Sequence, residues 1–285
     1  MRKGHYIALI AAVALTAALY WGVNTVPPKK PGGQQQPAST HDDGAQHMAA
    51  APASVDSILT AGKSALHDHA VEEIDALLAK ADKATDKSKK ASIYTEVAQI
   101  WQQHKQLSQA AYYYTEAAKL ENSEKSLNFA ARLNSELMRS AESASVRAWA
   151  AQQAIAAFEQ SLELNPDNDT VKMALAAAYV DGTSQPMQGI QLLLGITREQ
   201  PNHIQANLML GQLAIRSGQM DKAQERFEKV LSIEPENTEA LYFLAEVYKS
   251  KGNKQKAIEL LEECKRIINN PSFSKEIDEY IKTFK

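Results

Sequence analysis

A period of 34 residues, repeated over four stretches of the chain, constrains the fold more than any other feature. The stretches are residues 91–124, 170–203, 204–237 and 238–271. Each has a small residue at its eighth and twentieth positions and a large apolar or aromatic residue at its twenty-fourth. A fixed period of this length indicates a stack of similar structural units rather than one irregular core.

These small and large positions have a physical reason if each unit is a pair of antiparallel helices. Gly or Ala at positions 8 and 20 lets the two helices approach closely, and the large residue at position 24 fills the space beside them. Proline near position 32 then ends the second helix, because it has no N–H group to donate. The predicted packing residues are Ala98, Ala110, Tyr114, Phe158, Gly211, Ala223, Phe227, Ala245, Ala257 and Leu261.

One unit, residues 125–169, is 11 residues longer than the period. Its second half keeps the pattern, with Phe158 at position 24 and Pro166 at position 32. Its first half departs from the pattern, since Arg132 stands where a small residue is expected. We interpret this unit as a hairpin with longer helices or an extended turn, which projects from the edge of the stack. The extra residues are either a simple insertion or a dedicated contact site.

The pattern of small, large and proline positions resembles the tetratricopeptide repeat (TPR). The resemblance implies an all-α solenoid of antiparallel helix pairs, of a kind that binds other proteins rather than catalysing reactions. Because stacked repeats leave an apolar face at each end, residues 272–285 are predicted to form a capping helix. Residues 54–90 match the period poorly and are predicted to be an N-terminal helical cap or a degenerate repeat.

The same resemblance implies a concave groove lined by positions 2, 5, 9 and 12 of the first helix of each unit. Its mixed, mildly apolar wall suits an extended peptide or an amphipathic helix, although such residues are also typical of an ordinary solvated groove. The Lys/Asn clamp with which co-chaperone repeats grip a terminal carboxylate does not occur at these positions. The candidate binding residues are Gln99, Gln102, Ala178, Gln205, Leu208, Gln212, Tyr242, Glu246 and Lys249.

The N-terminal part of the chain has a different composition from the repeats. A short basic head, residues 1–5, precedes residues 6–23, which carry no charge and would span about 27 Å as a helix. This segment is predicted to be a transmembrane anchor, and a cleaved signal peptide is the alternative. Residues 24–53 are rich in Pro and Gln and are predicted to be a disordered linker. The repeats are therefore expected in a bacterial periplasm, tethered to the membrane or free after cleavage.

Composition and motifs give no indication of catalysis. A formal net charge of −3 argues against nucleic acid as the main partner, and a single cysteine, Cys264, permits no internal disulfide. His67 and His69 flank Asp68, but no second group of ligands stands at zinc spacing. No phosphate loop or nucleophile motif is present. We therefore expect no metal, no cofactor and no enzymatic activity.

The function expected from these features is that of a membrane-tethered scaffold or adaptor, which binds a peptide or helix of a partner protein in its groove. The alternatives are a structural protein that self-assembles through its terminal helices, and an accessory factor of an envelope secretion or assembly machine. The expected partners are a protein of unknown identity, the membrane through the N-terminal helix and, under the self-assembly hypothesis, further copies of the chain.

Overall fold

The structure is a computed structural model that describes residues 50–284. The predicted basic head, the membrane segment and all but the last residues of the linker lie outside this range. The described residues form thirteen α-helices and no strand, in agreement with the predicted all-α class. The helices are α1 (Val55–Lys63), α2 (Asp68–Lys83), α3 (Lys87–Gln103), α4 (Leu107–Glu121), α5 (Glu124–Ser140), α6 (Ala144–Leu164), α7 (Asp169–Gly182), α8 (Pro186–Glu199), α9 (Ile204–Arg216), α10 (Met220–Ile233), α11 (Thr238–Ser250), α12 (Lys254–Ile268) and α13 (Pro271–Lys282).

From α3 onward the helices pack as successive hairpins. α3 pairs with α4, α5 with α6, α7 with α8, α9 with α10, and α11 with α12, and each hairpin packs on the next. Most of the helix N-termini are capped by polar side chains; for example, Asn237 and Asn253 accept hydrogen bonds from backbone N–H groups of α11 and α12. This order of elements is a solenoid of antiparallel helix pairs, as predicted. None of the helices within residues 50–284 has the length and apolar character needed to span a bilayer.

The small residues lie where the helices of a hairpin come closest. A Cβ atom on Gly211 would lie 2.6 Å from Cζ of Phe227, and one on Gly189 would lie 2.4 Å from the carbonyl oxygen of Ala176. Both distances are too short for a real side chain, so these positions require glycine. Phe227 is fully buried beside Gly211 and stacks on Phe243 with ring centroids 5.6 Å apart. The large residue thus fills the space that the small one leaves.

Nine of the ten predicted packing residues are buried, and Tyr114 differs. Tyr114 is half-buried at the edge of its hairpin, where its ring packs edge-on against Phe129 and its hydroxyl donates to Gln102 at 2.9 Å. The neighbouring Tyr113 is the buried ring, with 6% of its surface exposed. Trp101 is fully buried in the same cluster and fills the interior of this hairpin. Tyr114 therefore packs at the rim rather than in the core.

The tight turns inside three hairpins need a left-handed residue at the same position of the period. Gly218 and Gly252 have φ of 72° and 82°, which glycine adopts without steric cost. The equivalent residue between α3 and α4 is Lys105, with φ of 59°. A side chain in this region costs roughly 1–2 kcal/mol, so the first of these turns is more strained than the other two.

The extended hairpin, α5 and α6, places its extra residues at one end. α5 and α6 have 17 and 21 residues, against 13 and 14 in α9 and α10. The small residue in α5 that packs with Ala154 and Phe158 is Ala131, not its exposed neighbour Arg132. Ala131 and Ala154 are 23 positions apart, whereas Gly211 and Ala223 are 12 apart, so all 11 additional residues lie beyond the close contact. The hairpin therefore projects at its turn end.

This projecting end contacts the N-terminal helix α1. Ile58 of α1 is 4% exposed and belongs to one apolar cluster with Leu137 of α5 and Trp149 of α6. The buried amide of Gln109 in α4 donates to the carbonyl oxygen of Ile58 at 2.7 Å. Just before α1, the N–H of Ala53 donates to the carbonyl oxygen of Ser145 at 2.9 Å.

A glycine also allows α1 to lie close to α4. A Cβ atom on Gly62 of α1 would lie 2.4 Å from Nε2 of Gln109, so α1 fits against α4 because this position has no side chain. α2, by contrast, packs on α3. The extra residues of the extended hairpin are thus a contact surface, and the segment that covers it belongs to the same chain.

The C-terminal end is covered by α13. Ile277 and Phe284 are each 4% exposed and join the cluster around Tyr248 and Leu261. Cys264 is fully buried in the preceding helix, and burial raises the pKa of its thiol to about 12. α13 packs on α12 and shields the apolar face that the last full hairpin would otherwise expose.

Candidate functional site

The first helices of the hairpins, α3, α5, α7, α9 and α11, carry the predicted groove positions. Within the described residues, a cavity of about 160 Å³ lies between α5 and α7. Its floor is apolar and includes Met138 and Phe158, and alanines of α7 form one wall. Its rim is polar. The residues of α5 and α7 that line it are Arg132, Ser135, Met138, Arg139, Ala174, Ala177, Ala178 and Asp181.

Helical spacing explains why these residues meet. Arg132, Ser135 and Arg139 are three and then four positions apart on α5, so they share one face of that helix. On α7, Ala174, Ala178 and Asp181 share a face in the same way. The alanine side chains are short, and their size keeps the space between the two helices open. The cavity therefore belongs to the groove side of the solenoid.

The charged side chains at the rim differ in whether they have an ion-pair partner. Asp181 is bound by Arg216 of α9 at 3.0 Å, and Arg139 is bound by Glu136 of its own helix at 2.8 Å. Arg132 is exposed and makes no ion pair or hydrogen bond with the described residues. The exposed pairs contribute about 0–1 kcal/mol each to stability, so a ligand can displace them at small cost. The rim thus carries an excess of positive charge.

Two of the predicted groove residues are buried. Leu208 is 2% exposed, because it packs into the cluster formed by Phe227 and Leu244 between neighbouring hairpins. Its prediction as a groove-lining residue was wrong. Ala178 is also 2% exposed, but it lies at the wall of the α5–α7 cavity. It shapes this cavity while offering little surface for contact.

Two predicted residues, Gln212 of α9 and Tyr242 of α11, have part of their surface covered. Gln212 donates to Oε1 of Glu239 at 2.8 Å. Burial raises the pKa of the Glu239 carboxyl, against the lowering effect of the hydrogen bond from Gln212. Tyr242 is half-buried, and burial raises the pKa of its hydroxyl to about 12. Gln99, Gln102 and Gln205 are exposed.

The predicted residues of α11 nearest the C-terminus are engaged by the capping helix α13. Tyr280 donates a hydrogen bond to Glu246 and accepts one from Nζ of Lys249 at 2.6 Å. The same Nζ lies 4.2 Å from the ring centroid of Tyr280 and 4.7 Å from that of Phe284, a cation–π geometry. Glu246 and Lys249 are therefore bound by the chain's own capping helix. The rule that assigns positions 2, 5, 9 and 12 of each first helix to the groove does not predict this contact.

Sequence reasoning missed the residues that α5 contributes. Arg132 departs from the repeat pattern, but the extra residues obscure its position in the period. With Ala131 as the small residue, Arg132 takes a groove position, and Ser135 and Arg139 follow on the same face. The arginine itself was the signal, since a large charged residue beside a required alanine indicates an exposed helix face.

In residues 50–284 no group of three or more His, Cys, Asp or Glu side chains is arranged to hold a metal ion. His67 caps the N-terminus of α2 without a side-chain hydrogen bond, and both His67 and His69 are exposed. What this arrangement offers chemically is a recognition surface with an apolar pocket and a basic rim.

Comparison with known proteins supports the repeat assignment. Residues 214–271 match the tetratricopeptide repeat family. A crystal structure of a tetratricopeptide repeat protein from Parabacteroides merdae aligns with a TM-score of 0.51 and 17% identity, covering 80% of this chain and 85% of that one. At this identity the likeness concerns the fold alone. A further solved structure, YrrB, described as a TPR protein with an unusual peptide-binding site, aligns with a TM-score of 0.46 and 19% identity over 72% of this chain and 99% of its own.

Two curated proteins share part of the sequence. Protein O-mannosyl-transferase Tmtc3 of Drosophila melanogaster is 25% identical over 111 residues, which cover 39% of this chain and 12% of that protein. Cellulose synthase operon protein C of Pseudomonas fluorescens is 26% identical over 102 residues, which cover 36% of this chain and 8% of that protein. The matched part is therefore about a tenth of the length of these relatives.

Proposed function

We propose that this chain, which carries tetratricopeptide repeats, is a non-catalytic scaffold that binds a peptide segment of a partner protein on its groove side. The observation that carries the proposal is the cavity between α5 and α7, with its apolar floor and its rim of arginines. Its volume, about 160 Å³, is close to that of cavities that hold a benzene ring. One medium-sized apolar side chain of a partner would therefore fill it.

The arginines at the rim would orient a bound segment and select one that carries an acidic residue. Guanidinium groups present several donors in one plane and bind carboxylates with two parallel hydrogen bonds. Arg132 and Arg139 flank the opening, and Asp181 opposite them is already bound by Arg216. A segment with an apolar anchor beside an acidic residue matches this arrangement. Extended peptides and amphipathic helices both present residues in this way.

We also propose that the scaffold is held at a membrane. The uncharged segment 6–23 would be the anchor and residues 24–53 the flexible tether, with the repeats in the periplasm; cleavage of the segment as a signal peptide remains the alternative. A role as an accessory factor of an envelope assembly machine is compatible with the same binding surface. Self-assembly is tested separately by sedimentation before and after removal of α13.

Site-specific photocrosslinking in native membranes tests the binding surface. We expect probes at Ser135 and Gln212, which lie on the groove side, to yield one dominant protein partner. A probe at Glu225, an exposed residue of the second helix α10, is the control and should give no such product. Equal crosslinking at all three positions, or crosslinks to further copies of this chain alone, would contradict the scaffold proposal, and the second result would favour self-assembly.

A further inference from the structure

A second, larger cavity lies on the opposite side of α7 from the groove. Its volume is about 510 Å³, and it is bounded by α6, α7 and α8. The residues that α7 contributes, Lys172, Leu175 and Tyr179, share a helix face that points away from Ala174 and Ala178. α6 and α8 are both second helices of their hairpins, so they run in the same direction and form the two walls of a channel above α7.

One of the residues that line this cavity, Gly195, has no side chain. Gly195 stands at position 26 of its unit, where the other regular units carry Glu116, Lys229 and Glu263, all partly buried. A Cβ atom on Gly195 would have no heavy atom within 4 Å, so neither a close contact nor a turn explains this glycine. Gly also lowers helix stability by roughly 1 kcal/mol relative to Ala. Gly195 thus lowers helix stability without being required by a close contact. Its missing side chain leaves open the space that a longer residue would occupy.

The opening has an apolar base and an acidic rim. Leu175, Leu192 and Ile196 lie at the base, and Glu159 and Glu199 stand on opposite walls. Glu159 accepts a hydrogen bond from Tyr179, and Glu199 makes no hydrogen bond or ion pair with the rest of residues 50–284. The nearby cation, Lys172, is already bound to Asp169 at 3.1 Å. Carboxylates therefore outnumber cations around the cavity.

We propose that this channel is a second binding site, which takes a basic amphipathic helix of a partner protein. The cavity is about three times the volume of the groove pocket, so it accommodates several side chains from one helix face. Apolar residues of the helix would cover Leu175 and Leu192, and a Lys or Arg would reach Glu199 while its aliphatic stem stays on the apolar base. This site is separate from the groove and does not depend on the function proposed for it.

Substitutions of Gly195 test the site without threatening the fold. Gly195→Gln places a neutral, flexible side chain in the channel, matched in length to the Glu that two other units carry at this position. Gly195→Ala is the matched control that adds a methyl group alone. Both variants should melt at a higher temperature than the wild type, because both remove glycine from a helix interior. Any difference in binding between them thus reports on the channel rather than on stability.

The probe is a phage-displayed library of amphipathic helices whose polar-face positions vary between Lys and Glu, selected on the full-length protein in detergent micelles. We expect the selection to enrich Lys-rich helices, which should bind the wild type and Gly195→Ala with equal affinity. Their affinity for Gly195→Gln should be at least about tenfold lower. Their affinity for Glu199→Gln should also be lower than for the wild type. Binding unaffected by Gly195→Gln, enrichment of Glu-rich helices, or no enrichment at all would overturn the proposal. Arg132→Glu should leave this binding unchanged, which separates it from the groove.

Discussion

Replacing Phe227 with alanine should lower the free energy of unfolding by about 3–5 kcal/mol. Phe227 is fully buried, its ring fills the space left by Gly211, and it stacks on Phe243. Neither α9 nor α10 can close the gap, because a collapse would need both helices to shift against α11. Since a domain of this kind is stable by roughly 5–15 kcal/mol in total, the loss should be large enough to see in any denaturation experiment.

Urea denaturation followed by circular dichroism measures this loss. Because each repeat contacts only its neighbours, the variant should lose helicity first in the C-terminal hairpins, and the transition should broaden. Tyr114→Ala is the matched control, since Tyr114 occupies the same position of the period but is half-buried. It should cost no more than about 2 kcal/mol. Equal losses at the two positions would contradict the account in which Phe227 fills the core and Tyr114 packs at the rim.

The second large effect concerns the contact between α1 and the extended hairpin. Ile58→Asp should detach α1, because it places an uncompensated carboxylate among Leu137, Met138 and Trp149, at a cost of several kcal/mol. α1 has nine residues and relatively few contacts, so releasing it is cheaper than unfolding the hairpins. The cost should therefore appear as local opening rather than as loss of the whole fold.

Hydrogen exchange followed by mass spectrometry distinguishes the two outcomes. Amides of residues 55–63 should exchange at least about a hundredfold faster in Ile58→Asp, equivalent to roughly 2.8 kcal/mol, while α9 to α12 keep their protection. Thr60→Asp, an exposed position on the same helix, should leave exchange nearly unchanged. Uniform loss of protection throughout the chain would mean that α1 is an integral part of the core.

The repeats could be predicted from the sequence because their packing is local and periodic. Gly211, Ala223 and Phe227 meet within one hairpin of 34 residues, so spacing alone indicates their contact. The position of α1 could not be predicted in this way. Ile58 and Trp149 are 91 positions apart, and nothing in the period connects a helix near the N-terminus to the end of a lengthened hairpin.

The groove was harder to predict than the fold. The positional rule identifies the helix face but not what neighbouring helices cover, so it included Leu208, which adjacent hairpins bury, and Lys249, which α13 engages. The rule also failed in the extended hairpin, because the extra residues shifted the register of α5 and concealed the groove position of Arg132. Arg132, which lines the proposed pocket, stands where the repeat pattern breaks.

The groove pocket is the central claim, and a charge reversal at its rim tests it most directly. The partner identified by crosslinking should bind the double variant Arg132→Glu/Arg139→Glu at least about a hundredfold more weakly than the wild type, because two attractive contacts become repulsive. Arg198→Glu, which makes one such charge reversal at an exposed position of α8, is the control and should bind within about twofold of the wild type. Isothermal titration calorimetry on the full-length protein gives both numbers. Undiminished affinity of the double variant would contradict the account.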